Sequence, residues 1–287
     1  MYKIRPLIPS DWVILEKFLL QYKDSSTFLR ANLQRAGIHC GSMRSQGTYV
    51  GAFDSIGLSD VAAHYWDNNV ILQSPNCPAE VAEALIRASA RPVNGVLGPW
   101  SQVEVAKDVL KLDPRRLGKV VPEYLYKLDL ARFMFSTDFN PVGTTCRLAT
   151  HQDLDVLVKW RRVYDRITIG FSENSIDDSL NSAILSLMIE EERLWVAENS
   201  GELVATSGFS AALQDVVKVT GVYTPQRLRN QGFARCVIAA SLSREKNKGV
   251  EEALLYTEMD NYAAQNTYES LGFKKIGKYG MIVLDPI

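Results

Sequence analysis

Apolar and polar positions follow one another in the same order along both halves of the chain. Each half begins with a short strand, a polar turn that holds an aspartate, and a helix with one apolar face. Two apolar runs separated by a polar turn come next, then a strand that ends in a proline. A helix, a strand, a second helix and a closing strand complete the pattern. Hairpin strands that then alternate with helices predict an α/β domain with a mixed sheet, and the sequence predicts two of them.

The predicted elements are bounded by the points where each periodic pattern starts and stops. In the first half, strands are predicted at 49–53, 58–66, 70–75, 95–97 and 123–130, with helices at 79–90 and 102–112. In the second half, strands are predicted at 194–198, 203–209, 219–225, 253–257 and 278–284, with helices at 234–246 and 262–271. Both halves therefore carry the same order of elements.

The starts of the two halves also align without a gap, as residues 4–15 over residues 146–157. The matched pairs are Arg5 with Arg147, Asp11 with Asp153, Leu15 with Leu157 and, just beyond, Lys17 with Lys159. Any two α/β domains share a general pattern, but an ungapped match favours a duplication. The turn-forming stretch 136–144 is predicted to be a linker, so the predicted domains are 1–135 and 145–287.

Composition places the chain among ordinary globular proteins, because 46% of its 287 residues are hydrophobic and 23% are charged. The formal net charge of −1 gives no reason to expect nucleic acid or an anionic membrane as a partner. Neither a signal-peptide core nor a membrane-spanning apolar run stands out. The cysteines and histidines are scattered, which is a poor pattern for a metal site. We therefore expect a cytoplasmic protein without a metal.

A loop with basic residues joins a predicted strand to the helix that begins at about Phe233. The first N–H groups of a helix have no partner within the helix and carry the positive end of its dipole, so such a junction binds a diphosphate well. Gly232 lets the backbone approach phosphate closely, and Arg229 and Arg235 add positive charge. The other interpretation is a helix start with solvated arginines. The loop is neither a Walker loop nor a dinucleotide fingerprint.

The helix predicted at 262–271 has an unusual face. Asn261, Ala264 and Tyr268 follow one another at spacings of three and four residues, so they lie on one side of it. A face with an amide, a small residue and a tyrosine can admit a ligand chain, whereas an ordinary core helix carries Leu or Ile at such places. Gly272 stands where the helix is expected to stop.

Taken in this order, the two stretches resemble the GNAT superfamily of N-acetyltransferases. The phosphate loop of that family, R/Q-x-x-G-x-G/A, is matched by R-N-Q-G-F-A at 229–234. Its later signature, N-x-x-A-x-x-x-Y-x-x-x-G-F, is matched at Asn261, Ala264, Tyr268, Gly272 and Phe273. Asn230 stands where many members have glycine, which costs little because the phosphate contacts come mostly from the backbone. The resemblance covers the second half of the chain.

The resemblance implies an acyltransferase that moves an acetyl group from acetyl-CoA directly to a primary amine of a small molecule or a peptide. The implied cofactor-binding residues are Val222, Tyr223, Arg229, Asn230, Gln231, Gly232, Phe233, Ala234, Arg235 and Asn261. Tyr268 matches the family tyrosine that donates a proton to the leaving thiolate, with aromatic packing as the other interpretation. Glu258, at a strand end, is the candidate general base or else a solvated carboxylate. The acceptor and the oligomeric state stay open.

The first half lacks the residues of both motifs. At the matching junction it has P-N-C-P-A-E at 75–80, without glycine or arginine and with Glu80 placed to repel phosphate. We therefore expect two tandem GNAT-like domains, of which the first is degenerate and the second holds the one working site. Two other functions stay open, a tRNA-dependent aminoacyltransferase of the tandem type and a non-catalytic CoA sensor or scaffold.

Overall fold

The computed structural model describes residues 2–134, 136 and 140–285. The chain forms two compact units, one of Met1–Glu123 with Lys278–Ile287 and one of Tyr124–Gly277. Each unit has a mixed sheet with helices packed on both faces, which confirms the predicted α/β class. Within the described ranges, no helix is long and apolar enough to cross a membrane. Those ranges also hold no group of three or more His, Cys, Asp or Glu side chains placed to bind a metal ion.

The first unit begins with a strand and two helices, continues with three strands, and then alternates helices and strands. They are β1 (Lys3–Pro6), α1 (Trp12–Gln21), α2 (Thr27–Ala36), β2 (Gly47–Phe53), β3 (Leu58–Tyr65), β4 (Asn69–Gln73), α3 (Pro78–Ser89), β5 (Gly95–Pro99), α4 (Trp100–Val109) and the start of β6 (Leu117–Asp129). Strands β1 to β5 lie in sequence order, antiparallel except for the parallel pair β4 and β5. Helices α1 and α2 pack around Leu15 and Leu33, and α3 and α4 pack around Leu85 and Val103.

The second unit repeats this topology. Its elements are β7 (Thr144–Leu148), α5 (Leu154–Tyr164), α6 (Asp178–Glu190), β8 (Leu194–Asn199), β9 (Glu202–Ala212), β10 (Val216–Tyr223), α7 (Phe233–Asn247), β11 (Glu252–Glu258), α8 (Tyr262–Ser270) and the start of β12 (Lys274–Leu284). Strands β7 to β10 are antiparallel neighbours, and β10 and β11 are parallel. Helices α5 and α6 pack around Leu157 and Leu185, and α7 and α8 pack around Val237 and Leu271.

The closing strand of each unit comes from the other half of the sequence. Residues 278–284 of β12 belong to the first unit, where Tyr279 to Val283 pair with strand β5. Residues 124–129 of β6 belong to the second unit, and Leu130 N next to them donates to Glu251 O at 2.8 Å. Periodicity identifies a strand but not its neighbour, so the sequence analysis left each closing strand with its own half. The domain boundaries at 136–144 stay a prediction, and residues 137–139 lie outside the described residues.

The aligned starts of the two halves fold in the same way. Arg5 pairs with Asp11 at 2.7 Å, and Arg147 pairs with Asp153 at 2.7 Å. Each aspartate also accepts the backbone N–H three residues before it, at 2.9 Å and 2.8 Å respectively. The hydrogen bond from the arginine lowers the pKa of Asp11 and that of Asp153. The ion pair therefore joins the first strand of each half to the start of the helix that follows.

Candidate functional site

The parallel strands β10 and β11 stop pairing before either strand ends. Their register ends where Lys218 lies beside Leu254, whereas β10 continues to Tyr223 and β11 continues to Glu258. The register of β10 with β9 is also shifted between Thr220 and Tyr223. On the side of β11, the backbone groups at this end of β10 therefore lie beyond the regular ladder, whereas Tyr223 still pairs with Thr206 of β9. The carboxyl edge of parallel strands is where α/β sheets commonly bind ligands.

Gly221 and Val222 lie in the irregular part of β10. Gly221 has a φ of +61°, in the left-handed region that favours glycine. Val222 and Tyr223, which were predicted to offer backbone hydrogen bonds to a bound chain, are half-buried at this bulge. The Tyr223 ring lies 5.6 Å from the ring of Trp160 on α5. The bulge therefore has aromatic support on one side.

The predicted phosphate loop follows β10 directly. A single helical turn at Gln226–Leu228 leads to Asn230 and Gly232, whose φ angles are +62° and +83°. Helix α7 then begins at Phe233, and no described side chain caps its start. Its first N–H groups therefore lack a side-chain acceptor and carry the positive end of the helix dipole. The neighbouring Gln231 is exposed, Ala234 is half-buried and Phe233 is buried.

The surroundings of this loop fit a diphosphate. Among the described residues, the buried Thr224 Oγ1 has no hydrogen-bond partner, which is a cost that a bound anion would remove. Arg235 lies beside the loop, since its Nη2 would be 3.8 Å from a Cβ placed on Gly232. Arg229 Nε donates to Thr224 O at 3.3 Å and holds the loop to the strand end. Uncapped helix amides, a hydroxyl and guanidinium groups together suit phosphate oxygens.

Asn261 lies at the start of α8, just after β11. It is exposed and caps the helix, because its Oδ1 accepts the N–H of Ala264 at 3.1 Å. The amide Nδ2 is therefore the group that can donate to a bound chain. Ala264 is half-buried on the same face of the helix, as the spacing of the motif predicted.

Tyr268 lies in the core of the second unit, with 7% of its surface exposed. Its ring is 6.3 Å from the ring of Tyr126 and 6.1 Å from the ring of Phe273. Aromatic packing, one of the two interpretations made from the sequence, is therefore part of its role. The role of the hydroxyl as a proton donor stays a prediction.

Glu258 is the last residue of β11 and is half-buried. Its backbone oxygen accepts hydrogen bonds from Asn261 N and from Gln265 Nε2, each at 3.2 Å, which ties the strand end to α8. Because β10 and β11 are parallel, this strand end and the phosphate loop lie at the same edge of the sheet. The two sequence motifs therefore meet at one edge, while the part of the Glu258 side chain in proton transfer stays a prediction.

Sequence reasoning missed a cavity on the face of the sheet that α5 and α6 cover. It has a volume of about 20 Å³, which is room for one water molecule. Trp160, Tyr164, Met188, Thr220 and Gly221 contribute to its wall. Tyr223, which the sequence analysis named as a cofactor-binding residue, also lines it, whereas the residues of α5 and α6 in its wall were given no role. The cavity borders the bulge of β10, so it lies next to the end of the strand predicted to bind CoA.

A buried carboxylate supports the wall of this cavity. Asp165 is 2% exposed and accepts hydrogen bonds from Arg161 Nε at 2.7 Å and Asn181 Nδ2 at 2.9 Å. Burial raises the pKa of Asp165, and the two donors oppose that shift. The residue starts a π-helical turn at Asp165–Ile169 and links α5 to α6. It thereby positions Arg161, which lines the cavity.

Comparison with known proteins identifies a family for part of the chain. Residues 159–273 match the family model described as Acetyltransferase (GNAT) family. A curated relative, N-alpha-acetyltransferase 30 of Schizosaccharomyces pombe, is 46% identical over 54 residues, which are 18% of this chain and 36% of the relative. The chain spans between 22% and 40% of the length of the curated relatives it matches.

Solved structures match over nearly the whole chain. A Drosophila protein has a TM-score of 0.67 at 12% identity, with 98% of each chain covered. A tandem GNAT protein from the clavulanic acid biosynthesis pathway has a TM-score of 0.54 at 9% identity, with 100% of this chain and 99% of that chain covered. Likeness at such identities concerns the fold alone, and it confirms the predicted fold class of tandem GNAT-like units.

Proposed function

We propose that the second unit transfers an acetyl group from acetyl-CoA to a primary amine, since residues 159–273 match the model of the GNAT acetyltransferase family. The observation that carries the proposal is the start of α7, an uncapped helix behind a loop in which Gly232 has a φ of +83°. The unpartnered Thr224 hydroxyl beside it also suits a bound diphosphate. The acceptor is an amine of a small molecule or of a peptide.

Acetyl-CoA, when bound, supplies the activated thioester. The loop, the first N–H groups of α7, Arg229 and Arg235 hold the diphosphate. Backbone groups of Val222 and Tyr223 hold the pantetheine arm, since this end of β10 lies beyond its regular ladder with β11. Asn261 adds a donor through Nδ2, because its Oδ1 is used by the helix cap. The binding groups thus come from the ends of two parallel strands.

The transfer itself needs three groups around the reacting carbonyl. The N–H of Val222 stabilises negative charge on the carbonyl oxygen. Glu258 accepts, through water, the proton that the ammonium group loses. Tyr268 donates a proton to the departing thiolate. The ammonium nitrogen loses two protons in all. One passes through Glu258 to water before the attack, and one leaves the tetrahedral intermediate and replaces the proton that Tyr268 gives to the sulfur, so the products are the amide, the CoA thiol and one released proton.

Replacing Tyr268 by Phe tests the proton donor. Tyr268→Phe keeps the ring contacts with Tyr126 and Phe273 but deletes the hydroxyl, so we expect turnover to fall roughly tenfold with little change in the KM for acetyl-CoA. The matched control is Tyr126→Phe, which removes a hydroxyl that donates to Glu269 in the same aromatic cluster and should leave turnover unchanged. Wild-type turnover with weakened affinity in Tyr268→Phe would make Tyr268 a packing residue.

A panel of amines tests the activity itself. We expect CoA release from acetyl-CoA to depend on the amine, and peptides with free N-termini belong in the panel because one curated relative is named an N-alpha-acetyltransferase. Acetyl-CoA binding without CoA release for any amine would instead identify a sensor or scaffold. Activity with aminoacyl-tRNA in place of acetyl-CoA would identify an aminoacyltransferase.

A further inference from the structure

Two cysteine thiols that the proposed reaction does not use are in contact in the second unit. Sγ of Cys146, on β7, lies 3.1 Å from Sγ of Cys236, on α7. Cys146 is partly exposed and Cys236 is buried, and both are free thiols. The two residues are 90 positions apart, so their contact is a product of the fold.

We propose that Cys146 and Cys236 are a reversible dithiol–disulfide pair whose oxidation weakens the binding of acetyl-CoA. The effect on acetyl-CoA rests on the proposed function, whereas the disulfide itself does not. The oxidant is a small hydroperoxide, which takes two electrons from the thiols. Its O–O bond breaks, one S–S bond forms, and the two thiol protons end on the two oxygen atoms. With hydrogen peroxide the products are the disulfide and two water molecules.

The electrostatics of the pair favour one order of events. The hydrogen bond from Cys146 and the positive charge of Arg235 lower the pKa of Cys236, against the effect of burial. The thiolate is the form that attacks a peroxide, so Cys236 is oxidised first to the sulfenic acid. Cys146 then attacks that sulfur and expels hydroxide. The partly exposed side of Cys146 is the route by which a small peroxide reaches the pair.

The pair lies directly behind the phosphate loop. Cys236 is in the first turn of α7, where its N–H donates to Gly232 O at 3.0 Å, and its Sγ donates to Asn140 Oδ1 at 3.1 Å. A disulfide bond is about 2.05 Å long, so the two sulfur atoms must approach by about 1 Å. Strand β7 is held by its pairing with β8 over Thr144 to Leu148, so any backbone movement that the bond requires falls on the start of α7.

A shift of this size matters because binding groups work only when they are held within about 0.5 Å of their productive positions. Moving Cys236 also moves Gly232, which it holds through the backbone. The disulfide removes the thiol proton that Asn140 accepts as well. We therefore expect oxidation to misplace the helix amides that face the diphosphate.

Peptide mapping after peroxide treatment tests the disulfide. The full chain is used as the Cys40→Ser variant, which removes the exposed thiol that could link two molecules. We expect a linked pair of peptides that contains Cys146 and Cys236, lighter by two hydrogen atoms than the reduced peptides and separated again by dithiothreitol. Unlinked thiols, or sulfinic acids that never form a link, would overturn the proposal.

Calorimetry with acetyl-CoA tests the regulation, since its sulfur is blocked and cannot reduce a disulfide. We expect the Kd of the Cys40→Ser protein to rise roughly threefold to tenfold on oxidation and to recover on reduction. The double variant Cys40→Ser, Cys146→Ser should show no such change. Linked peptides with an unchanged Kd would overturn the regulatory effect. If the reduced protein does not bind acetyl-CoA, the proposed function fails, while the mapping still decides on the disulfide.

Discussion

Helices α3 and α7 begin at equivalent places in two units of the same topology, but their starts meet different partners. At α3, the carboxylate of Asp60 on β3 accepts the backbone N–H groups of Asn76 at 2.7 Å and Cys77 at 3.1 Å. At α7, no described side chain caps the helix, and Thr224 Oγ1 beside it has no partner. Among the described residues, no side chain caps either helix, but the first unit places a carboxylate beside the N–H groups just before α3, whereas the second unit has groups there that an anion can use.

Asp60 is fully buried and accepts five hydrogen bonds, from Ser59, Ser74, Asn76 and Cys77. The first turn of α3 also carries Pro78, which has no N–H to donate, and the negative charge of Glu80. The sequence analysis predicted a degenerate unit from the missing glycine and arginines. The structure adds a physical cause, because a carboxylate of the chain already occupies the helix start.

The strands that precede α3 and α7 also differ, in how far each extends beyond its last pair with the neighbouring parallel strand. β10 continues from residue 219 to residue 223 beyond its last pair with β11, whereas β4 continues only through residues 72 and 73 beyond its last pair with β5. Gln73, at the end of β4, pairs with β3 and accepts the hydroxyl of Ser25 at 2.7 Å. The first unit therefore offers a bound chain neither an open strand end nor a free helix start.

The proposed difference between the two units is wrong if both of them bind acetyl-CoA. We expect one acetyl-CoA per chain in titration calorimetry, because the loop before α7 holds Gly232 with a positive φ, whereas the carboxylate of Asp60 lies at the start of α3. The Gly232→Val variant serves as the control, since a site that keeps the wild-type Kd in this variant lies elsewhere. Two equivalent sites per chain would show that Asp60 does not close the first unit.

Removing the carboxylate of Asp60 should have the largest effect on stability. Asp60→Ala leaves the buried N–H group of Cys77 and the buried hydroxyl of Ser74 without this acceptor, so we expect the free energy of unfolding of the first unit to fall by about 3 kcal/mol. The matched control is Asp54→Ala, because exposed Asp54 also accepts two backbone N–H groups and should cost less than about 1 kcal/mol. Urea unfolding measures the free energy of unfolding of both variants. Equal losses would mean that Asp60 stabilises its loop no more than an exposed aspartate does.

Replacing Gly232 tests the open helix start. Gly232→Val places a branched side chain where phosphate must approach, so we expect the Kd for acetyl-CoA to rise more than about tenfold, or over ~1.4 kcal/mol. Gly249→Val is the matched control, because Gly249 has a φ of +93° at the other end of α7 and so suffers similar backbone strain. Equal affinity in the two variants would mean that strain, and not phosphate contact, governs binding.

Helices and strands whose signals come from residues close together in the sequence could be predicted well. The helix predicted at 234–246 lies at Phe233–Asn247, and the one predicted at 262–271 lies at Tyr262–Ser270. Periodicity, capping residues and the glycine stop are local signals, so they are present in the sequence itself. The order of the elements then predicted the fold class, while the anion site at the start of α7 stays a prediction.

Contacts between distant residues could not be predicted in this way. Asp60 lies 16 positions before Asn76, and an aspartate within an apolar strand carries no signal of the helix start that it meets. Cys146 and Cys236 have no spacing that names one as the partner of the other. The two closing strands have similar apolar patterns, and only their long-range pairing assigns each of them to the other unit.

The smallest effect on the free energy of unfolding is expected at the aspartates of the two aligned starts, Asp11 and Asp153. Asp153 accepts both the backbone N–H and the hydroxyl of Thr150, at 2.8 Å and 3.1 Å, in addition to Arg147. Asp11 accepts Arg5 and one backbone N–H. We therefore expect Asp153→Asn to lower the free energy of unfolding by about 1.5 kcal/mol at neutral pH, and Asp11→Asn by about 1 kcal/mol.

The pH dependence of these losses separates charge from shape. Both aspartates have a pKa in the folded chain below the unfolded value, so their ionised forms contribute stability above about pH 4 and lose it as the pH falls through the folded pKa. The difference between the wild type and each variant should be full near pH 7 and shrink below about pH 3. Urea unfolding at neutral and acidic pH measures it. A difference that stays constant into acid would mean that shape alone matters, and a larger loss for Asp11→Asn would mean that the hydroxyl of Thr150 adds nothing to the second start.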